Sequence, residues 1–328
     1  MITDYKNKII QGDALTILKE LPNECIDCVV TSPPYYLLRD YGVDGQLGLE
    51  ATFQEYINKL RNVFVEIKRV LKKEGSIFVN ISDTYAGGGY GIDTNLENTK
   101  QASNKGTMDG RLKIQQIRKI NKQIISKSLM AIPARFQIMM IDNGFICRND
   151  LIWIKVNATP ESVRDRWKKA HEHIFYFVKN KKYYFDIDAI RTPHKECSLK
   201  RAQYEQGRNA LGNNPSSLGD KSAKYGMPAR MVKLNPKGAV PPDFFNINTN
   251  CKADETVQHY ATYPLDLIIP LIKAGCPKNG IVLDPFFGSG TTAVACKQLH
   301  RNFIGIELNP DYIKIAEERI KNIPQTLF

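Results

Sequence analysis

The stretch Asp284-Pro285-Phe286-Phe287-Gly288-Ser289-Gly290-Thr291-Thr292 follows the apolar run IVLD and opens the run TTAVACKQL at 291–299. A short apolar strand, a glycine turn and a helix make half of a strand–helix–strand unit. Asn302–Glu307 (NFIGIE) supplies the second strand, and a helix over 310–320 with Pro310 at its start follows. A helix over 265–274 precedes the unit. The same alternation marks the other end of the chain. Lys8–Gln11 reads as a strand and 14–21 as a helix with Asp13 as its N-cap. Ile26–Thr31 (IDCVVT) reads as a buried parallel strand. Phe53, Tyr56, Ile57, Leu60, Val63, Phe64, Ile67 and Val70 recur at helical spacing, and after Gly75 comes another buried strand, SIFVNI at 76–81. Strand, helix, strand in this order predicts right-handed parallel crossovers, so the fold class is α/β.

The 284–292 turn carries chemistry. Gly288 and Gly290 permit a tight turn and close approach of a ligand to the backbone. The helix beyond, entered at Thr291, offers unpaired N–H groups to an anion. That anion is a pyrophosphate in a dinucleotide site, or the methionine carboxylate in S-adenosylmethionine. Glu307 ends the following strand, where an acid can accept hydrogen bonds from both ribose hydroxyls. Asp284, at the first strand's tip, can attract the methionine ammonium. Ala293 occupies the third glycine place of the dinucleotide fingerprint, a place that tolerates alanine, so this motif alone leaves a nicotinamide enzyme open.

A second motif, Thr31-Ser32-Pro33-Pro34-Tyr35, sits where another apolar strand ends. Ligands of open α/β sheets bind at the carboxyl ends of strands. An exocyclic amino group is a poor nucleophile, because its lone pair is delocalised into the ring. The Ser32 hydroxyl and the Pro33 carbonyl can accept its two hydrogens and so aim the lone pair at an electrophilic methyl. Two prolines preorganise these acceptors. Tyr35 can stack on a base taken out of the duplex.

Composition fits this chemistry. The 328 residues carry 46 Lys+Arg against 34 Asp+Glu, a net charge of +12, which favours a polyanionic partner such as nucleic acid. The start lacks a secretory h-region and no apolar run approaches a membrane span, which reads as a cytoplasmic protein with no membrane contact. Seven scattered cysteines do not form a disulfide framework. Cys25 and Cys28 have zinc spacing but no second pair, so they read as core thiols and no metal is expected. Cytosine C5 chemistry needs Pro-Cys, and the chain has only Cys276-Pro277.

Between the two ends the pattern changes. Residues 86–128 are polar, basic and glycine-rich, and read as a long loop. A helix near 129–141 and two β-like runs, 145–155 and 171–179, suggest antiparallel strands, with His171 and His173 read as structural. Residues 191–250 lose periodicity and are strongly basic. Lys221, Lys224 and Arg230 there are candidate DNA contacts, and Arg164, Arg166, Trp167, Lys168 and Lys169 are candidates nearer the flipped base, unless Trp167 is core.

Ser32–Tyr35 followed by Phe286–Gly290, with a basic region between, resembles the beta class of DNA amino-methyltransferases of bacterial and phage restriction-modification systems. Further segments are similar to the family's. Gln11-Gly12-Asp13 resembles a strand end near the cofactor adenine. His259-Tyr260-Ala261-Thr262-Tyr263-Pro264, with Thr262 as a cofactor residue, resembles a segment beside the methionine moiety, and Ile304–Glu307 a ribose-binding segment. The resemblance implies a circularly permuted Rossmann-like sheet in which the strand carrying Glu307 neighbours Lys8–Gln11. It implies a catalytic domain in two parts, 1–190 and 251–328, around a target-recognition region at 191–250. It implies S-adenosyl-L-methionine as methyl donor and double-stranded DNA as partner. A restriction endonuclease acting on the same site would accompany the chain, itself a monomer or homodimer. Serine before Pro-Pro-Tyr is associated with cytosine N4 and aspartate with adenine N6, so N4 is favoured and N6 is the alternative. Methylation of RNA or of a protein amide is disfavoured by the motif order, and an inactive DNA-binding protein by the intact Ser32, Gly288, Gly290 and Glu307.

Overall fold

In the computed structural model, residues 2–87, 114, 124–158, 160–200, 202, 234–249 and 263–323 are described. They form two compact units, Met1–Asp186 with Asp243–Phe328, and Ile187–Pro242. The larger unit holds an eight-stranded sheet. Its elements are β1 (Lys8–Gln11), α1 (Ala14–Glu20), β2 (Ile26–Thr31), α2 (Phe53–Val70), β3 (Leu71–Ile81), α3 (Ile132–Asp142), β4 (Ile146–Lys155), β5 (His171–Val178), β6 (Phe244–Ile247), α4 (Leu265–Gly275), β7 (Ile281–Asp284), α5 (Thr291–Gln298), β8 (Asn302–Glu307) and α6 (Pro310–Lys321).

The sheet order is β1-β8-β7-β2-β3-β5-β4-β6. Lys8 pairs with Ile304 and Gln11 with Glu307 in parallel, so the expected permuted neighbours do meet. The block β1-β8-β7-β2-β3 is parallel. Strand β5 then runs antiparallel to both β3 and β4.

The all-apolar strands follow from helices on both faces. Val29, Ile77, Val79, Leu283 and Ile306 pack with α1, α2 and α3. Their neighbours Cys28, Val30, Phe78 and Val282 pack with α4 and α5. Alternation of successive side chains thus splits each strand between two cores. Cys25 and Cys28 are free thiols inside these cores. Asp13 caps α1 by accepting from Thr16 N at 2.9 Å, and Thr52 caps α2 by accepting from Glu55 N at 3.2 Å.

Two segments differ from the sequence reading. Strand β3 starts at Leu71, which directly follows α2 and pairs with Ile26 of β2, with an irregularity before the regular pairing begins at Ser76 opposite Cys28. Phe244–Ile247, read as part of the basic region, is an edge strand parallel to β4. Four residues on an edge carry too little periodicity to separate them from a loop. Most of 86–128 lies outside the described residues, but its ends are tied, with Ala86 N donating to Ser128 O and Lys127 N to Ala86 O, each at 2.8 Å. Among the described residues, no helix is long and apolar enough to cross a membrane.

Candidate active site

Four parallel strands end side by side, and the loops leaving them enclose one cleft. Gly12 and Asp13 line it after β1, Ser32 to Tyr35 after β2, Pro285 to Ser289 after β7, and Glu307 to Asn309 at the end of β8. The two motifs of the sequence therefore share one cavity.

On one side stands the glycine turn. Gly288 has φ +54 and Gly290 φ +80, both in the left-handed region that favours glycine. The two glycines serve different ends. A Cβ on Gly290 would lie 2.8 Å from Ala316 Cβ on α6, whereas one on Gly288 would meet nothing within 4 Å and would project into open space. Glu307 holds the turn from the next strand, its Oε2 accepting from Gly288 N at 2.7 Å and its Oε1 from Asn309 N at 2.8 Å. Burial pushes the Glu307 carboxyl above its ordinary range. Arg319 on α6 braces the turn by donating to Ser289 O at 2.6 Å, Ser289 Oγ at 2.7 Å and Thr291 Oγ1 at 3.2 Å. Phe286 is half-buried and lines the cleft, as does the buried Thr291.

Asp284 has another place than expected. It is 0 % exposed and does not line the cleft. Its Oδ1 accepts from Thr31 Oγ1 at 2.7 Å and Phe286 N at 3.2 Å, and its Oδ2 from Thr292 Oγ1 at 2.6 Å and Tyr263 OH at 2.8 Å. Burial raises its pKa, against the pull of these donors. The direct contact with a ligand ammonium is thus corrected, since each oxygen already accepts two hydrogen bonds and the residue has no surface on the cleft. What Asp284 does is tie the tip of β2 to the tip of β7, one residue before Ser32.

On the other side, Ser32 Oγ donates to the Tyr35 hydroxyl at 3.3 Å. That hydroxyl donates to Glu172 Oε2 at 2.6 Å, with Asn80 Oδ1 at 3.0 Å. Tyr56 OH holds Pro34 O at 2.8 Å. Burial first, then the Glu172 charge, push the Tyr35 phenol well above its ordinary pKa, so it stays protonated. Sequence reasoning missed Glu172, Asn80 and Lys155, whose ammonium pairs with Glu172 Oε1. The available signal was an acid inside the apolar strand HEHIFYFV. Arg39, Tyr41, Leu47 and Tyr312 also line the cleft and were not foreseen.

The candidate DNA residues separate. Trp167 is 93 % exposed, so it is not core. Arg164 is exposed. Arg166 is engaged within the protein, donating to Glu161 Oε2 at 2.7 Å and stacking 4.1 Å over the Tyr85 ring. Lys169 turns inward to Ser82 Oγ at 3.0 Å and to the Asp83 carbonyl, and burial lowers its pKa, so it is no free phosphate contact. His173 stacks on Phe175 and bonds Asp150 at 2.9 Å, a structural placement. Thr262, Lys221, Lys224 and Arg230 lie outside the described residues.

The model of the DNA methylase family with N6 and N4 specificities matches residues 26–318. The chain belongs to this family. Among curated relatives, the type II methyltransferase M.SmaI of Serratia marcescens is 37% identical over 314 residues, covering 95% of this chain and 90% of the relative. M.XycI of Xanthomonas campestris pv. cyanopsidis is 34% identical over 313 residues, covering 95% and 87%. Among solved structures, the cytosine-N4-specific PvuII DNA methyltransferase superposes with a TM-score of 0.63 at 19% identity, covering 98% of this chain and 89% of that one. A Thermus thermophilus chain described as a DNA modification methylase, complexed with S-adenosyl-L-methionine, gives 0.56 at 20%, covering 97% and 95%. These last two likenesses concern the fold of the methylase.

Proposed function

We propose that this methylase transfers a methyl group from S-adenosyl-L-methionine to the N4 amino group of a cytosine flipped out of double-stranded DNA. The observation that carries the reading is the shared cleft: Ser32 at the tip of β2 and the Gly288 turn at the tip of β7 open into the same space. The donor fits the residues present. Glu307 offers carboxylate oxygens at a strand end, Gly288 leaves room where a side chain would intrude, and Phe286 and Tyr312 give the cleft aromatic walls. Bound there, S-adenosylmethionine supplies an electrophilic methyl group. Ser32 Oγ and the Pro33 carbonyl accept the amino hydrogens and orient the nitrogen, and Tyr35 packs against the base. The names of the relatives support a restriction-modification setting, in which an endonuclease would cut the same site.

Cytosine N4 is favoured over adenine N6 because the residue before Pro33-Pro34-Tyr35 is Ser32, and serine at that place is associated with N4 in the family. Mass spectrometry of nucleosides from unmethylated DNA treated with the protein and S-adenosylmethionine tests this. N4-methylcytosine is expected. N6-methyladenine would overturn the choice of base, and no methylated base would overturn the reaction. Ser32→Ala should keep cofactor affinity and lower turnover, and unchanged turnover would remove Ser32 from its role.

A further inference from the structure

The Ser32 hydroxyl has one proton, and its direction decides whether the cleft meets a donor or an acceptor. The surroundings of Tyr35 decide that direction. Two oxygens face the phenol, Glu172 Oε2 at 2.6 Å and Asn80 Oδ1 at 3.0 Å. The Asn80 amide is oriented because its Nδ2 donates to His173 O at 3.1 Å. A carboxylate and an amide carbonyl only accept, so the phenol must spend its proton on them. Its lone pair is then left for Ser32, whose Oγ lies 3.3 Å away. Ser32 thereby presents lone pairs to the cleft. Glu172 and Asn80 are each 6% exposed, so water does not compete freely for these positions. Lys155 holds the other Glu172 oxygen and fixes the carboxylate.

We infer that Glu172 is a positioning residue for methyl transfer: through the Tyr35 hydroxyl it holds Ser32 Oγ as an acceptor of the substrate amino hydrogen. This rests on the reading of Ser32 given above. Without the Glu172 carboxylate only Asn80 Oδ1, at the longer 3.0 Å, draws the phenol proton away from Ser32, and a phenol that turns its proton to Ser32 makes the serine point its own proton at the amino hydrogens. Antiparallel β5 places the carboxylate here, two strands away from the Ser-Pro-Pro-Tyr loop.

The test is single-turnover methylation with enzyme in excess over unmethylated plasmid DNA, with cofactor affinity measured separately by calorimetry. Glu172→Gln and Tyr35→Phe should each slow the methylation step by about tenfold or more, the loss of one buried hydrogen bond to a charged group. The dissociation constant for S-adenosylmethionine should stay within about twofold, because neither group touches the glycine turn. Tyr35→Phe keeps the ring and the Glu172–Lys155 pair, so its effect cannot come from an unpaired lysine. The double variant should be no slower than the slower single one, because both cuts interrupt the same chain. Wild-type rates in either variant, multiplicative losses in the double variant, or an effect confined to cofactor affinity would overturn the inference. Ser32→Ala in parallel separates the two claims. A slow Ser32→Ala with fast Glu172→Gln and Tyr35→Phe sinks only the role of Glu172, whereas a fast Ser32→Ala sinks the reading on which it rests.

Discussion

Thr31→Val tests whether the two motif tips are coupled through Asp284. Valine matches threonine in shape, so the change opens no cavity and removes one hydroxyl. That hydroxyl donates to Asp284 Oδ1 at 2.7 Å, inside a site where Asp284 is 0 % exposed. The longer 3.2 Å contact from Phe286 N then remains on that oxygen. A hydrogen bond to a buried charge contributes about 1.5–3 kcal/mol, so a loss of about 2 kcal/mol is expected. At about 2–4 °C per kcal/mol for a domain of this size, the melting temperature should drop by about 4–8 °C. The loss should also depend on pH. Burial already holds the Asp284 pKa above its unfolded value, and removing a donor raises it further. An acid with a raised folded pKa lowers stability from the pH at which the unfolded state ionises. The penalty is absent below the unfolded pKa, grows between the unfolded and the folded pKa, and is complete above the folded one, so a variant with the higher folded pKa loses more. Urea titrations at a series of pH values should therefore show the variant converging on the wild type in acid and separating from it towards neutral pH. A pH-independent difference, or none, would refute the coupling.

The glycine turn predicts a split between two variants. Gly290→Ala should cost about 2–4 kcal/mol of stability, from left-handed backbone strain and the Ala316 contact. Gly288→Ala should cost about 1–2 kcal/mol from strain alone. It should weaken S-adenosylmethionine binding, because its methyl group meets open space in the cleft. Equal stability losses by denaturation, or unaltered affinity in Gly288→Ala, would contradict this. For Glu307, cofactor affinity should fall as pH drops through its pKa, which burial holds above the ordinary 4.5, since the protonated acid accepts poorly. Glu307→Gln should bind weakly and without that slope, and a retained slope would assign the titration elsewhere. Trp167→Ala should leave stability within about 0.5 kcal/mol, as the ring is 93 % exposed. It should weaken DNA binding if the ring stacks on a base, by about 1–3 kcal/mol. Unchanged binding in a fluorescence titration would take Trp167 out of the interface.

The sequence was readable wherever a signal was local. The strands Lys8–Gln11, Ile26–Thr31, Ile281–Asp284 and Asn302–Glu307 lie where their apolar runs predict, and the motifs at 31–35 and 284–292 sit at strand tips as a parallel sheet demands. Asp284 was legible as a position but not as a contact. Its partners Thr31 and Tyr263 come from distant parts of the chain, and nothing in a nine-residue motif says how many donors will converge on its carboxylate.

Glu172 marks where local reading stops. Within HEHIFYFV it is an acid in a strand, and alternation assigns it a face without saying what that face will meet. Its meaning comes from pairing: β5 runs antiparallel along β3, setting Asn80 opposite Ile174, and this register carries Glu172 to the end of the sheet where Tyr35 leaves β2. Lys155 arrives from β4 by the same route, since Ile154 pairs with His171 and the lysine is the next residue along. A serine in this family's first motif would be a weak acceptor alone. The strands that complete the sheet surround its tyrosine with the acceptors Asn80 and Glu172, so in the proposed reading the polarity of Ser32 is set by residues far from it in the chain. On that reading the motif supplies the orienting hydroxyl, and the topology determines which way its proton points.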